Sequence, residues 1–295
     1  MSEAAYLERA ISFGPERGMV GIMTTPAEQA DSNTWALLVN AGVIHRVGPN
    51  RINVRLARDL AARGLPNLRF DQSGLGDSVP RDGVTDLHES AHADMLDAMA
   101  YLKQHHGAER FVVVGICSGA RLALRTSYRG ADIAAAVVID PPVYRTTKAV
   151  VAHFAPRLLR AGAWKNALSG NNQRIKGALQ RLRQRNQADE APETPTASDM
   201  PERLGEWPSR EDMTEALARI IGNGTRLLWI HTGGAADQQY NYKDQVRDVF
   251  PEACASGLID WDLMSEVDHD FATEASRHAI RRVLCDWLGR RGFVR

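Results

Sequence analysis

The sequence predicts an α/β fold: a mostly parallel central sheet flanked by helices, with a helical segment inserted before its last strands. Three observations predict it. Short β-rich runs alternate with helix-period patterns along most of the 295 residues. The runs 111–116 and 133–139 are apolar almost throughout, as in strands buried on both faces. The alternation stops after Asp140-Pro141-Pro142 and resumes at Arg226, which marks the insertion. The expected organisation is a core of 1–142 and 223–295 with a cap of 143–222.

Each element has its own warrant. Residues 5–24 read as two strands around the turn Gly14–Gly18, a hairpin. Trp35 to Val39 is an apolar run ending at Asn40-Ala41-Gly42, a buried strand entering a tight loop. Asn50 is placed to cap the next helix, whose apolar face is Val54, Leu56, Ala57, Leu60 and Ala61, and Gly64 and Pro66 end it. Asn67 to Phe70 is a short strand followed by Asp71 and QSGLGDS. Met95, Met99 and Leu102 mark one face of a helix, and Ala120 to Thr126 begins another. After the insertion come a strand at Arg226–His231, a helix near Asp244–Phe250, a strand near Leu258–Leu263 and a terminal helix from about Ala272 to Leu288.

Composition excludes several classes. Thirty-six Lys and Arg balance 36 Asp and Glu, which argues against a general nucleic-acid binder. The longest apolar runs, at 111–117 and 133–139, fall far short of the roughly 20 residues of a membrane-spanning helix. The N-terminal MSEAAYLERA lacks a basic, apolar leader pattern, and three widely spaced cysteines suit a reducing compartment. A cytoplasmic location is therefore expected. There is no phosphate-binding Gly-x-x-x-x-Gly-Lys loop, no dinucleotide turn and no metal-ligand set, so neither cofactor nor metal is expected.

The segment that carries chemistry is Phe111 to Ala120. A strand runs into Gly115-Ile116-Cys117-Ser118-Gly119, and a helix follows. This is the nucleophile-elbow pattern, in which a strained turn lifts one side chain above the sheet and admits only small residues two positions either side. With Ser118 central, bulky Ile116 would fall at a small-residue position; with Cys117 central, Gly115 and Gly119 flank it. Cys117 is therefore the expected nucleophile. The Ser118 N–H at the helix N-terminus is an expected oxyanion donor.

With these residues, the sequence resembles the α/β-hydrolase superfamily over about 5–290, apart from the cap. FDQSGLGDS (Phe70–Ser78) resembles the Asp-x-x-Gly-x-Gly-x-Ser loop after the fourth strand, and LLVNAG (Leu37–Gly42) lies where the oxyanion loop does. HTGGAADQQ (His231–Gln239) and SEVDHDF (Ser265–Phe271) match the loops that supply the acid and the histidine. Cysteine in place of serine is similar to dienelactone hydrolases and some thioesterases.

The resemblance implies roles for further residues. His269, before the terminal helix, is the expected general base, whereas His45 and His231 share the expected loop edge of the sheet. Asp237 is the preferred orienting acid and Asp140, ending the preceding strand, the alternative; Asp268 is too close to His269 in an extended chain to face it. The second oxyanion donor is expected among the N–H groups of Ala41, Gly42 and Val43. His45 and Arg46 either touch an anionic part of the substrate or brace the helix that comes next.

The function these features imply is an acyl hydrolase acting on an ester, lactone or thioester through an acyl-cysteine intermediate. An acyltransferase or cyclase passing the acyl group to an alcohol, amine or carrier thiol is the alternative, and a non-catalytic ligand-binding member of the fold is a third. The substrate is a small acyl compound. Residues 145–185 hold ten Lys or Arg and no Asp or Glu, which suits an acyl carrier protein or a coenzyme A thioester as partner, or a solvated face. The cap's apolar residues, among them Val150, Phe154, Leu158 and Trp164, are expected to lie over the pocket.

Overall fold

The structure is a computed structural model. It describes residues 5–28, 33–83, 86–130, 132–141, 144, 146–149, 208–234 and 241–295. The chain divides into two compact units, one of Met1–Tyr144 with Leu204–Arg295 and one of Arg145–Arg203. The first unit contains every strand of the sheet. The expectations for residues 150–207, including an apolar face over the pocket and a basic surface, lie outside the described residues.

Eight strands form one sheet: β1 (Tyr6–Phe13), β2 (Met19–Pro26), β3 (Thr34–Leu38), β4 (Asn67–Phe70), β5 (Arg110–Ile116), β6 (Ile133–Ile139), β7 (Arg226–Thr232) and β8 (Ile259–Met264). Their order is β1-β2-β4-β3-β5-β6-β7-β8. The β1–β2 hairpin is antiparallel, β2 meets β4 antiparallel, and every later pairing is parallel. The carboxyl ends of β3, β5, β6, β7 and β8 therefore open onto one edge, where ligands bind in open parallel sheets.

Among the described residues, helices with both ends described are α1 (Ile52–Ala62), α2 (Leu87–His106), α3 (Ser118–Tyr128), α4 (Arg210–Gly222), the short α5 (Gln245–Val249) and α6 (Pro251–Ala255), and α7 (Glu274–Arg290). Local chemistry sets their ends. Asp86 caps α2 by accepting the N–H groups of His88 and Glu89, and Gly107 closes it in the left-handed region. Ser209 and Asp212 form a reciprocal capping box on α4, and Thr273 caps α7.

Period-two burial explains the layers. Leu37, Val113, Val138 and Trp229 face one apolar cluster with Met95, Met99 and Leu102 of α2, Ala123 of α3, and Met213, Leu217 and Ile220 of α4. Leu38, Val112, Val114, Val137 and Ile230 face the other, with Ile52, Leu56 and Leu60 of α1 and Ile280, Leu284 and Trp287 of α7. All seven residues of β6 are buried, as expected of a strand covered on both faces.

Two expectations change. The sequence places α4 inside the insertion 143–222, but its face of Met213, Ala216, Leu217 and Ile220 is buried and packs on α3, so it is core. Asn50 does not cap α1. The residue before that helix is Arg51, with no side-chain cap, and the Asn50 amide instead donates to the Asp270 carbonyl at 2.8 Å.

Candidate active site

Cys117 sits at the sharp turn between β5 and α3 with φ 55° and ψ −117°, an uncommon conformation for a non-glycine residue. The turn is permitted by its glycines. A Cβ on Gly115 would lie 2.1 Å from the Gly119 carbonyl oxygen, and one on Gly119 would lie 2.4 Å from the Asn40 carbonyl oxygen. These are backbone atoms that cannot swing aside. Gly119→Ala is therefore expected to cost about 1–3 kcal/mol by overpacking, with a larger loss for Gly115→Ala, which meets three backbone atoms. Thermal unfolding of the two variants checks this, and a midpoint unchanged in both would contradict it.

Ser118 is the first residue of α3, so its N–H has no acceptor within the helix. Its hydroxyl oxygen accepts from the Gly42 N–H at 2.6 Å. The Gly42 amide is therefore turned toward the start of α3, and Gly42 adopts φ 55°. The Ala41 carbonyl accepts from the Ile44 N–H, and the Val43 side chain is exposed. Asn40, buried, secures the loop by donating to the Ile44 carbonyl and accepting from the Gln72 N–H.

The histidine lies in the loop between β8 and α7. His269 Nδ1 is 2.7 Å from Asp140 Oδ2, and the Cys117 side chain is the other group that acts on the ring. With Nδ1 taken by Asp140, Nε2 is the atom left for the sulfur. The hydrogen bond to Asp140, then the influence of Cys117, lifts the imidazolium of His269 to a pKa of about 10, against the opposing effect of burial. At neutral pH the ring carries its proton.

Asp140 follows β6 with φ 49°, and its carboxylate is fully buried. It accepts from the Thr232 N–H at 2.6 Å and the Thr232 hydroxyl at 2.5 Å, besides the contact with His269. A buried carboxylate needs such partners. The preferred acid, Asp237, lies outside the described residues. Asp268 is turned away, accepting from the Ala272 N–H and the Ser276 hydroxyl.

Three further residues of the expected site have these surroundings. His231 is not in a loop: it is a buried residue of β7 whose Nε2 accepts from the Trp229 indole at 3.0 Å. Burial pushes its pKa down to about 4 although the Asp140 charge opposes this, so the ring is neutral. Arg46 is held against the loop after β4. Its N–H donates to Asp71 Oδ1, and its guanidinium pairs with Asp71 and, at 2.7 Å, with Asp77. His45 is exposed, and its carbonyl accepts from the Gly48 N–H.

Sequence reasoning missed Thr232 and the reason for the glycines after it. A Cβ on Gly233 would lie 2.0 Å from the Ser265 carbonyl oxygen, and one on Gly234 would lie 3.0 Å from the His269 amide nitrogen. The pair Gly233-Gly234 lets the histidine loop close against the end of β7. The signal in the sequence is a hydroxyl-bearing residue at a strand end followed by two glycines. Among the described residues, no group of three His, Cys, Asp or Glu is placed to hold a metal, and no helix is long and apolar enough to cross a membrane.

Residues 37–291 match the model of the alpha/beta hydrolase family. Among solved structures, the chain is similar to an esterase of Pyrococcus furiosus, at 12% identity over 97% of this chain and 92% of that one, with a TM-score of 0.59. It is similar to an alpha-beta serine hydrolase homologue of Coxiella burnetii, at 15% identity over 96% and 97%, with a TM-score of 0.56. It is also similar to a dienelactone hydrolase of Anabaena variabilis, at 13% identity over 99% and 100%, with a TM-score of 0.55. No curated protein matches. Strand order, the turn at Cys117 and the matched residues agree: the chain belongs to the alpha/beta hydrolase family.

Proposed function

We propose that the protein is an acyl hydrolase that cleaves an ester or thioester through an acyl-cysteine intermediate, with Cys117 as nucleophile, His269 as acid and base, and Asp140 as the orienting carboxylate. The observation that carries this reading is the Asp140–His269 hydrogen bond at the carboxyl edge of the sheet, on a ring that Cys117, at the turn into α3, also influences. The fold likeness to an esterase and a dienelactone hydrolase is consistent with it.

The chemistry starts from the proton held on His269. The sulfur attacks the substrate carbonyl with its thiol proton passed to His269, so the nucleophile is the thiolate. The carbonyl π electrons move onto oxygen, which the Ser118 N–H meets at the start of α3. When the oxyanion collapses, the C–O or C–S bond to the leaving group breaks, and His269 supplies the departing atom with its proton. The thioester left on Cys117 carries no charge, so one of the causes of the raised His269 pKa is gone. The neutral ring then takes a proton from water, whose oxygen attacks the thioester and releases the acid.

Intact-mass measurement tests this on the full chain exposed to a panel of activated esters and acyl thioesters, coenzyme A thioesters included. One acyl group mapped to Cys117, and lost with time as free acid, is the expected result. Mass added at other residues alone, or none from any member of the panel, would overturn the proposal.

A further inference from the structure

We propose that the Ser118 hydroxyl, and not a loop amide, is the second donor of the oxyanion hole, with the Gly42 N–H polarising it from behind. The inference rests on the acyl-cysteine chemistry of the proposed function and adds to it a side-chain catalytic group. The Gly42 N–H donates to Ser118 Oγ at 2.6 Å, so the hydroxyl stands in the space that an oxyanion would need in order to reach that amide. An amide N–H can only donate, and a serine hydroxyl both accepts and donates. The hydroxyl proton is therefore directed away from Gly42.

The same residue carries the N–H at the start of α3, directly after Cys117 in the chain. A serine can grip one oxygen with its own N–H and O–H together. A hydroxyl that accepts from an amide becomes a better donor, because hydrogen bonds in a chain polarise one another. The loop that holds the amide is fixed on its far side: Asn40 pins it through the Ile44 carbonyl and the Gln72 N–H, and the Arg46 N–H is held by Asp71. Gly42 can thus back the hydroxyl without moving during the reaction. As the thiolate adds to the carbonyl, the C–S bond forms and charge reaches oxygen. Ser118 O–H then donates to that oxygen and keeps its proton, so the step balances with no transfer from serine.

The test separates carbonyl addition from the intrinsic reactivity of the thiolate. Acylation of Cys117 by p-nitrophenyl acetate passes through an oxyanion, whereas alkylation by iodoacetamide displaces iodide and forms none. Removing one oxyanion donor typically costs about 10²–10³-fold. Ser118→Ala is therefore expected to slow acylation by roughly 100-fold, leave KM for turnover nearly unchanged, and leave alkylation of Cys117 within about twofold of the parent. The Gly42 amide left behind stands one hydroxyl too far back to replace it. Ser118→Thr, which keeps the hydroxyl, is expected to restore most of the acylation rate. Peptide mapping assigns each adduct, since burial lifts the thiols of Cys254 and Cys285 to about 11 and makes them slow. Acylation of Ser118→Ala at the parent rate would make the hydroxyl a spectator, and a faster rate would make it a plug over Gly42. Either overturns this inference and leaves the acyl-cysteine reading standing. Alkylation slowed as much as acylation would mean a disturbed turn and also overturns it. A parent chain that takes no acyl group at Cys117 overturns both.

Discussion

Cys117→Ala is expected to lower turnover of an activated ester by roughly 10⁵–10⁶-fold, as removal of a covalent nucleophile does elsewhere. The fold should survive. The side chain is small, and Gly115 and Gly119, which permit the turn, are untouched. A stability change of about 1 kcal/mol is expected, the ordinary size for a single substitution. Steady-state rates with p-nitrophenyl acetate, paired with thermal unfolding of the same samples, provide the check. Cys254→Ala and Cys285→Ala are the controls, and both should retain turnover, since burial holds their thiols up at about 11. A Cys117→Ala chain with more than a few per cent of parental activity would remove cysteine from the mechanism.

Asp140→Asn should be the next most damaging change, with turnover falling by about 10³–10⁴-fold. The carboxylate holds Thr232 through two donors and His269 through Nδ1. An asparagine can still accept from the Thr232 N–H, but its NH₂ would face a donor hydroxyl or the ring. Where it donates to Nδ1, it fixes the proton on Nε2, the nitrogen that must face the sulfur. The pH dependence should move too. Asp140 is the largest cause of the raised His269 pKa, so without it the ring loses its proton well below about 10. The ring is charged below its pKa, so the pH range over which an imidazolium faces Cys117 contracts from its alkaline side. Alkylation of Cys117 measured across pH reads this directly. Asp237→Asn belongs beside it. If that variant loses activity and Asp140→Asn keeps it, the acid comes from the later strand.

The layered architecture is legible in the sequence because buried parallel strands need apolar runs and amphipathic helices need a period. Phe111–Ile116 and Ile133–Ile139 mark the centre of the sheet. Choosing Cys117 over Ser118 for the turn needs only the clash a larger residue would make at 115 or 119, which the Gly119 and Asn40 carbonyls make concrete. The choice between Asp140 and Asp237 is not legible. Both come shortly after a strand in the sequence, and what holds Asp140 on the ring is a positive φ and two donors from Thr232, 92 residues away. His231 misleads for a related reason: a polar residue ending an apolar run reads as the start of a loop, whereas here Trp229 on the same strand face gives its imidazole a buried donor. Helix α4 reads as part of the insertion because it comes after the break in alternation. Its 213, 216, 217 and 220 spacing carries the information, but only packing on α3 says which surface that face covers.

Cys117 and the His269–Asp140 pair follow strands of unequal security. The turn after β5 lies in the middle of the sheet, flanked by β3 and β6, whereas His269 hangs from β8, which is paired on one side only and is partly exposed along most of its length. Edge elements open locally at a lower free-energy cost than central ones. Fraying of that margin would withdraw the imidazole while the elbow and both apolar layers persist, and re-pairing would return it. Dormancy and denaturation would then be separate events, and a chain that has ceased to turn over under mild heat or denaturant need not have lost its fold.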